Sequence, residues 1–324
     1  MLNGYEFHKT EMGIKVKLSL VVPCFNEENN VIPFFDAVKS AFDGKIESYE
    51  VIFVNDGSRD NTLKKLKELY SREKCARVIS FSRNFGKEAA ILAGLRSAVG
   101  EYTAIIDADL QQLPETVLEM VRILDEKPEC DCVAAYQDKR RENPFLKISK
   151  FLFYKLMNGV CDVKLHADAS DFRTFRKNMR EAILSLPEKS RFSKGIFAWV
   201  GFNTEYLPYI AGKRFSGKSA WSIKKLFRYS MDGITDFSVS PLKIPTACGI
   251  FSVILAVIWF LVMLVMGRVT SFSGEIILDA ILFLWGLSSV FIGIIGTYIA
   301  KNHTEIKDRP AYIIKECLNH DDEK

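Results

Sequence analysis

Two long apolar runs lying close together, residues 246–267 and 276–300, constrain this chain more than any other feature. A helix rises about 1.5 Å per residue, so about 20 residues cross the roughly 30 Å hydrocarbon core of a bilayer. Each run reaches that length. The first is almost wholly apolar, and the second holds one acid, Asp279, near its start, where it would sit at interfacial depth. Two such runs joined only by residues 268–275 are hard to bury in a soluble core, so the pattern predicts a transmembrane hairpin. Lys224, Lys225, Arg228 and Lys243 precede it, Lys301, Lys307, Arg309 and Lys315 follow it, and the connecting loop holds one Arg and one Glu. Basic residues mark the cytoplasmic side. Both flanks and both termini are therefore expected in the cytoplasm, with the chain held in the cytoplasmic membrane. Residues 1–17 are polar, without the apolar stretch of a signal peptide.

The rest of the chain has the composition of a folded domain. Apolar residues make up 48% of the whole and charged residues 26%, too many of the first for disorder. The formal net charge of +4 and the acidic clusters described next argue against a nucleic-acid binder. Cys130 and Cys132 have no partner Cys or His at zinc spacing, and the seven cysteines read as reduced thiols of a cytoplasmic compartment.

Short apolar runs alternate with amphipathic segments from residue 18 onward. Strands are predicted over 18–23, 49–54, 76–81, 102–106 and 130–136, with helices over 29–42, 62–70, 87–98 and 114–124. This alternation implies an α/β fold with a mostly parallel sheet covered on both faces. Such sheets bind ligands at the carboxyl ends of their strands. Polar clusters stand at those ends: Pro23-Cys24-Phe25-Asn26-Glu27-Glu28, then Asn55-Asp56-Gly57-Ser58-Arg59-Asp60, then Asp107-Ala108-Asp109-Leu110-Gln111. Two carboxylates one residue apart after a buried strand can hold Mg²⁺ or Mn²⁺ against a diphosphate. Taken singly, Asp56-Gly57 reads as a turn and Asp60 as the N-cap of the next helix. The order of the three clusters carries the weight.

Residues 18–111, with Val22-Pro23, Asn26-Glu27, Asn55-Asp56-Gly57-Ser58, Asp60, Ser82-Arg83-Asn84-Phe85-Gly86-Lys87 and Asp107-Ala108-Asp109-Leu110-Gln111, resemble the nucleotide-sugar half of family 2 glycosyltransferases of the Rossmann-like GT-A fold. With its apolar hairpin, the chain from about residue 17 to 310 is similar to polyprenyl-phosphate glycosyltransferases, the bacterial bactoprenol glucosyltransferases and dolichol-phosphate mannose synthases among them. The resemblance implies that Pro23, Asn26, Glu27 and Asp56 surround the uridine or guanosine. It implies that Asp107, Asp109 and Gln111 form the metal and diphosphate site, with Asp109 the first choice of direct ligand. Arg83 and Lys87 either face the diphosphate, fix the acidic cluster, or form a solvated helix start.

The acceptor half follows. Residues 145–160 alternate aromatic and aliphatic residues with Lys147, Lys150 and Lys155, which suits an interfacial helix, the alternative being a core helix with one wet face. In Ala169-Ser170-Asp171-Phe172-Arg173 the resemblance places Asp171 near the reacting centre and Arg173 near phosphate. Trp199, in a segment resembling the sugar-site lining, either packs on a sugar face or fills the core. Arg214, Lys218 and Ser219, around Gly217, can grip a phosphate, and the resemblance makes their loop a mobile cover. The expected organisation is an extension over 1–17, a catalytic domain over 18–220, a second interfacial helix over 221–240, the two spans, and a cytoplasmic tail over 301–324. The resemblance implies inverting, metal-dependent transfer of a hexose to polyprenyl phosphate, with UDP-glucose and undecaprenyl phosphate preferred. N-acetylglucosamine, galactose and mannose donors stay open, as does a catalytically inactive scaffold. Family members suggest assembly of copies through the spans. A processive polysaccharide synthase would carry a Gln-x-x-Arg-Trp segment, and none of Gln111, Gln112 and Gln137 begins one.

Overall fold

The computed structural model of the protein describes residues 16–137, 169–189, 191–212, 242–265 and 274–320. The segments expected as interfacial helices, and the loop with Arg214, Lys218 and Ser219, lie outside the described residues.

The alternation predicted at the start of the chain is present as β1 (Leu18–Cys24), α1 (Val31–Phe42), β2 (Tyr49–Asn55), α2 (Thr62–Arg72), β3 (Ala76–Phe81), α3 (Lys87–Ser97), β4 (Tyr102–Ile105) and α4 (Pro114–Glu126). Every residue of β3 and β4 is buried, as both-face coverage demands. Side chains alternate across β1 by the period of two. Leu20 and Val22 pack under α1 and α4 with Phe34, Phe35 and Phe53, whereas Val21 faces Ile91 and Leu95 of α3. Gly94 allows that close approach, since a β-carbon there would lie 2.3 Å from Cγ1 of Val21.

The chain continues as β5 (Cys132–Gln137), β6 (Ala169–Arg176), α5 (Lys177–Ser185), α6 (Ser193–Trp199), β7 (Thr204–Tyr209), α7 (Lys243–Val265), α8 (Gly274–Ile306) and β8 (Ile314–Leu318). One eight-stranded sheet runs in the order β7-β5-β6-β4-β1-β2-β3-β8. Strands β1 to β4 are mutually parallel where they pair, and β5 is parallel to β7. The mostly parallel mixed α/β sheet is thus present, with a departure: β6 inserts between β4 and β5, antiparallel to both. From β1 the chain winds outward to β2 and β3, then crosses back to β4 on the other side of β1. That reversal opens a crevice at the carboxyl ends of β1 and β4.

Both C-terminal apolar runs are helical over their described residues. Within α8 the stretch Phe283–Ile306, 24 residues of mean hydropathy 1.8, is long and apolar enough to cross a membrane, and none of its most apolar part is buried. The helix outlasts the expected run, ending at Ile306 rather than residue 300. The tail expected over 301–324 is also more than a tail. Strand β8 pairs antiparallel with β3, Val78 opposite Leu318 and Ile79 opposite Cys317. Tyr312 lies parallel to the Phe81 ring with centroids 4.9 Å apart, and the Ser82 amide donates to the Ile313 carbonyl.

Candidate active site

The loops after β1 and β2 are tied together through their polar side chains. The Asn26 amide donates to the Ser58 hydroxyl at 2.9 Å, and the Arg59 amide donates to Asn26 Oδ1 at 2.9 Å. Asn26 takes a left-handed backbone (φ 57°), which asparagine tolerates better than most residues. The Glu27 amide donates to the Thr62 hydroxyl, the Glu28 amide to Asp60, and the Asn61 amide to Glu28. Asp60 accepts from the Thr62 amide and hydroxyl, so it braces the start of α2 from one position before the cap, Asn61. Pro23 is half-buried where β1 ends, and Glu27 is held by the Asn30 side-chain amide. The first two clusters therefore form one wall of the crevice.

Asp56 lies deeper than its neighbours. It is only 3% exposed, and its carboxylate accepts the Phe85 amide at 2.6 Å and the Gly86 amide at 2.9 Å. Burial pushes its pKa up, against the pull of those two amides and of Arg83. Asp56 thus anchors the loop between β3 and α3. Gly57 makes the anchorage possible: its φ is +61°, and a β-carbon would stand 2.3 Å from the Arg83 carbonyl carbon. Arg83 itself is exposed, with its guanidinium over the Phe85 ring.

The anchored loop aims Lys87, the first residue of α3, into the crevice. Its Nζ lies 2.6 Å from Asp107 and 3.5 Å from Asp171. The antiparallel register explains the meeting. Ile105 of β4 is opposite Arg173 of β6, so two residues further along Asp107 falls across from Asp171. Facing carboxylates repel, and the ammonium between them relieves this. Burial disfavours the Lys87 charge, but Asp107 and Asp171 outweigh it and hold the pKa above the usual lysine range. Burial would likewise raise Asp171, yet Lys87, Lys194 and Arg173 keep it below the ordinary carboxylate range. Of the readings open for Lys87, fixing the acidic cluster is the one the geometry realises. Asp171 keeps one buried oxygen, Oδ1, with no hydrogen-bond partner among the described residues.

The Asp109 side is a tight turn. Asp109 is 9% exposed and accepts the Gln111 amide, Gln112 accepts the Asp107 amide, and Leu110 between them is left-handed (φ 58°). The Gln111 carbonyl accepts the Gly212 amide at 3.0 Å, so the segment after β7 leaves from beside this turn. Among the described residues no group of three or more His, Cys, Asp or Glu is placed to hold a cation. Two carboxylates with a nearby amide oxygen are nonetheless a hard-oxygen donor set. That suits Mg²⁺ or Mn²⁺, which commonly take one or two carboxylates and complete the shell with substrate phosphates. Asp107, Asp109 and Gln111 fit such an ion.

Arg173 and Trp199 differ in burial. Arg173 is buried, its guanidinium 3.8 Å from the Phe197 ring centroid and donating to the Ser170 carbonyl, so it backs Asp171 from behind. Trp199, at the end of α6, is 55% exposed and does not fill the core. Glu88, beside Lys87, is a residue the sequence reading passed over. It accepts from the amide and hydroxyl of Ser193, and burial together with the Asp171 charge pushes its pKa up to about 7. The signal available was an acid in the first turn of α3, which reads equally as a dipole-compensating surface residue.

Acidic and amide-rich loops thus meet where the strand order of an open α/β sheet reverses, the place where such sheets bind ligands. The pattern of glycosyl transferase family 2 matches residues 19–184, and the chain belongs to that family; it is a glycosyltransferase. It is 37% identical, over 93% of its length and 98% of the relative's, to the SfII prophage-derived bactoprenol glucosyl transferase of Shigella flexneri. It is 35% identical, over 94% and 95% of the two chains, to the uncharacterized glycosyltransferase YkcC of Bacillus subtilis. Among solved structures, glucosyl-3-phosphoglycerate synthase from Mycobacterium tuberculosis aligns with 68% of this chain and 78% of its own, at 21% identity and a TM-score of 0.47.

Proposed function

We propose that the protein transfers glucose from UDP-glucose to undecaprenyl phosphate, with inversion, at the cytoplasmic face of the membrane. The observation that carries the reading is the placement of Asp171 across from Asp107, which sets a second carboxylate beside the donor site. Likeness to a bactoprenol glucosyl transferase along nearly the whole chain, apolar helices included, supports the lipid acceptor.

Asn26, Glu27 and the wall they share with Ser58 would receive the uridine, and Asp107, Asp109 and Gln111 would hold Mg²⁺ or Mn²⁺. Such an ion supplies charge neutralisation for the departing diphosphate. An oxygen of the lipid phosphate forms the new bond to the anomeric carbon as the bond from that carbon to the diphosphate breaks, and UDP carries away the electron pair. A phosphate monoester has a second pKa of about 6, so it arrives largely dianionic and needs no strong base. Asp171 therefore orients and balances charge, with Lys87 at its side and Arg173 behind it. Arg214, Lys218 and Ser219 would grip the acceptor phosphate, and Trp199 would reach the sugar from the rim. Helices α7 and α8 would form the hairpin that holds the site at the bilayer.

The test is transfer of labelled sugar from a panel of UDP- and GDP-sugars to undecaprenyl phosphate in detergent, with Mg²⁺, Mn²⁺ or EDTA. One labelled lipid from UDP-glucose, lost with EDTA, is the expected result. Asp109→Asn should lower turnover about a hundredfold or more. Full activity of that variant with ordinary metal dependence would overturn the site, and no lipid product from any donor would overturn the function.

A further inference from the structure

We infer that Lys87 is a resident counter-ion that competes with the divalent cation for Asp107, so that the cation binds well only together with the nucleotide diphosphate. The inference rests on the cation-dependent reading above and adds an order of assembly to it.

Lys87 is placed with little freedom. Asp56 holds the amides of Phe85 and Gly86 immediately before it, and α3 begins at Lys87 itself. From there its ammonium lies 2.6 Å from Asp107 Oδ1. A divalent ion would sit about 2.1 Å from a carboxylate oxygen. Two cations cannot approach one carboxylate that closely without strong repulsion. An ion on Asp107 therefore weakens the Lys87 pairing there and favours the ammonium moving toward Asp171, 3.5 Å away. A nucleotide diphosphate changes the balance: its charge can pair with both the ion and the displaced ammonium. Two carboxylates without a third acidic or imidazole ligand among the described residues also make a weak site for a bare ion. Each ligand then raises the affinity of the other, as linkage requires.

The two side chains are each about a third exposed, Lys87 at 38% and Asp107 at 34%, so the competition is moderate in size. Mn²⁺ binding to the purified full-length chain, followed by the spin-resonance signal of the free ion with and without UDP, measures it directly. Wild type should bind Mn²⁺ tightly only with UDP present. Lys87→Gln should bind Mn²⁺ alone roughly fivefold more tightly than wild type and lose most of the gain from UDP. Lys87→Arg, which keeps the cation, should behave as wild type. Asp171→Asn leaves the ammonium only Asp107 to pair with, and should weaken binding of Mn²⁺ alone. If Lys87→Gln binds no better than wild type, or if it weakens along with Asp171→Asn as a general loosening would dictate, the inference is wrong. If Lys87→Gln does not fold, Lys87→Met, which also removes the ammonium, carries the same expectation of tighter Mn²⁺ binding without UDP, and binding no tighter than wild type overturns the inference. Wild type that binds no Mn²⁺ even with UDP would instead bring down the cation-dependent reading underneath.

Discussion

Glu88 carries a pH dependence that can be separated from catalysis. Burial and the neighbouring Asp171 raise its pKa from the ordinary 4.5 to about 7. Between those values the folded chain keeps a proton that the unfolded chain has released. The folded state thus binds more protons than the unfolded state, and stability falls as pH rises through the window. The penalty is complete above about pH 7 and absent below the ordinary glutamate value. Glu88→Gln keeps an acceptor oxygen for Ser193 and removes the charge. It should match the wild-type melting temperature near pH 5 and exceed it at pH 8, and an equal difference at both pH values would rule the account out. The residue-scale picture also explains why the role of Lys87 was left open by the sequence. Whether it meets diphosphate or carboxylates depends on Asp171 falling across from Asp107, and nothing local to either segment encodes that register.

At the scale of elements, β8 is a strap between the last helix and the sheet. Lys67 pairs with Glu316, Lys189 pairs with Asp308, and the Lys189 amide donates to Glu305 at 3.1 Å. Tyr312 sits between Phe81 and Arg96, whose Nη1 donates to the phenol oxygen. Tyr312→Ala should lower the stability of the catalytic domain by about 3 kcal/mol, measured by denaturant unfolding. A change below about 1 kcal/mol would show that the strap is only draped on the edge. The strap was hidden in the sequence for a physical reason. Ile314–Leu318 is short and half-polar, as an edge strand with one wet face tends to be, so it offers no apolar run. Strands β1 to β4 were legible because burial on both faces forces near-continuous apolar residues, each followed by an amphipathic helix. Strand β6 was illegible as a sheet member: its Ser, Asp, Arg and Thr break the pattern, and its pairing with β4 is long-range. The acidic strand ends stood out because three clusters in order are rare, whereas the work of Asp56 depends on a loop thirty residues away.

For the whole molecule, the β3–β8 pairing constrains topology. The catalytic domain precedes α7, β8 follows α8, and both lie in one sheet, so the chain between them must cross a bilayer an even number of times or not at all. Exposed Phe283 and Trp285 on α8 make an aqueous surroundings unfavourable. Two crossings agree with the basic flanks. A cysteine placed at Ser271, in an otherwise cysteine-free chain, should react with a membrane-impermeant maleimide on intact cells. One placed at Asn319 should react only after the cells are opened. Equal labelling of both on intact cells would exclude the hairpin.

The same pairing sets an order of events during synthesis. Strand β3 leaves the ribosome early, but its outer edge has no partner until both apolar helices have been translated and β8 emerges behind them. An uncovered edge is a template for pairing with another chain. The β3 edge of the sheet that carries the sugar-transfer chemistry is therefore covered only after both apolar helices have been made.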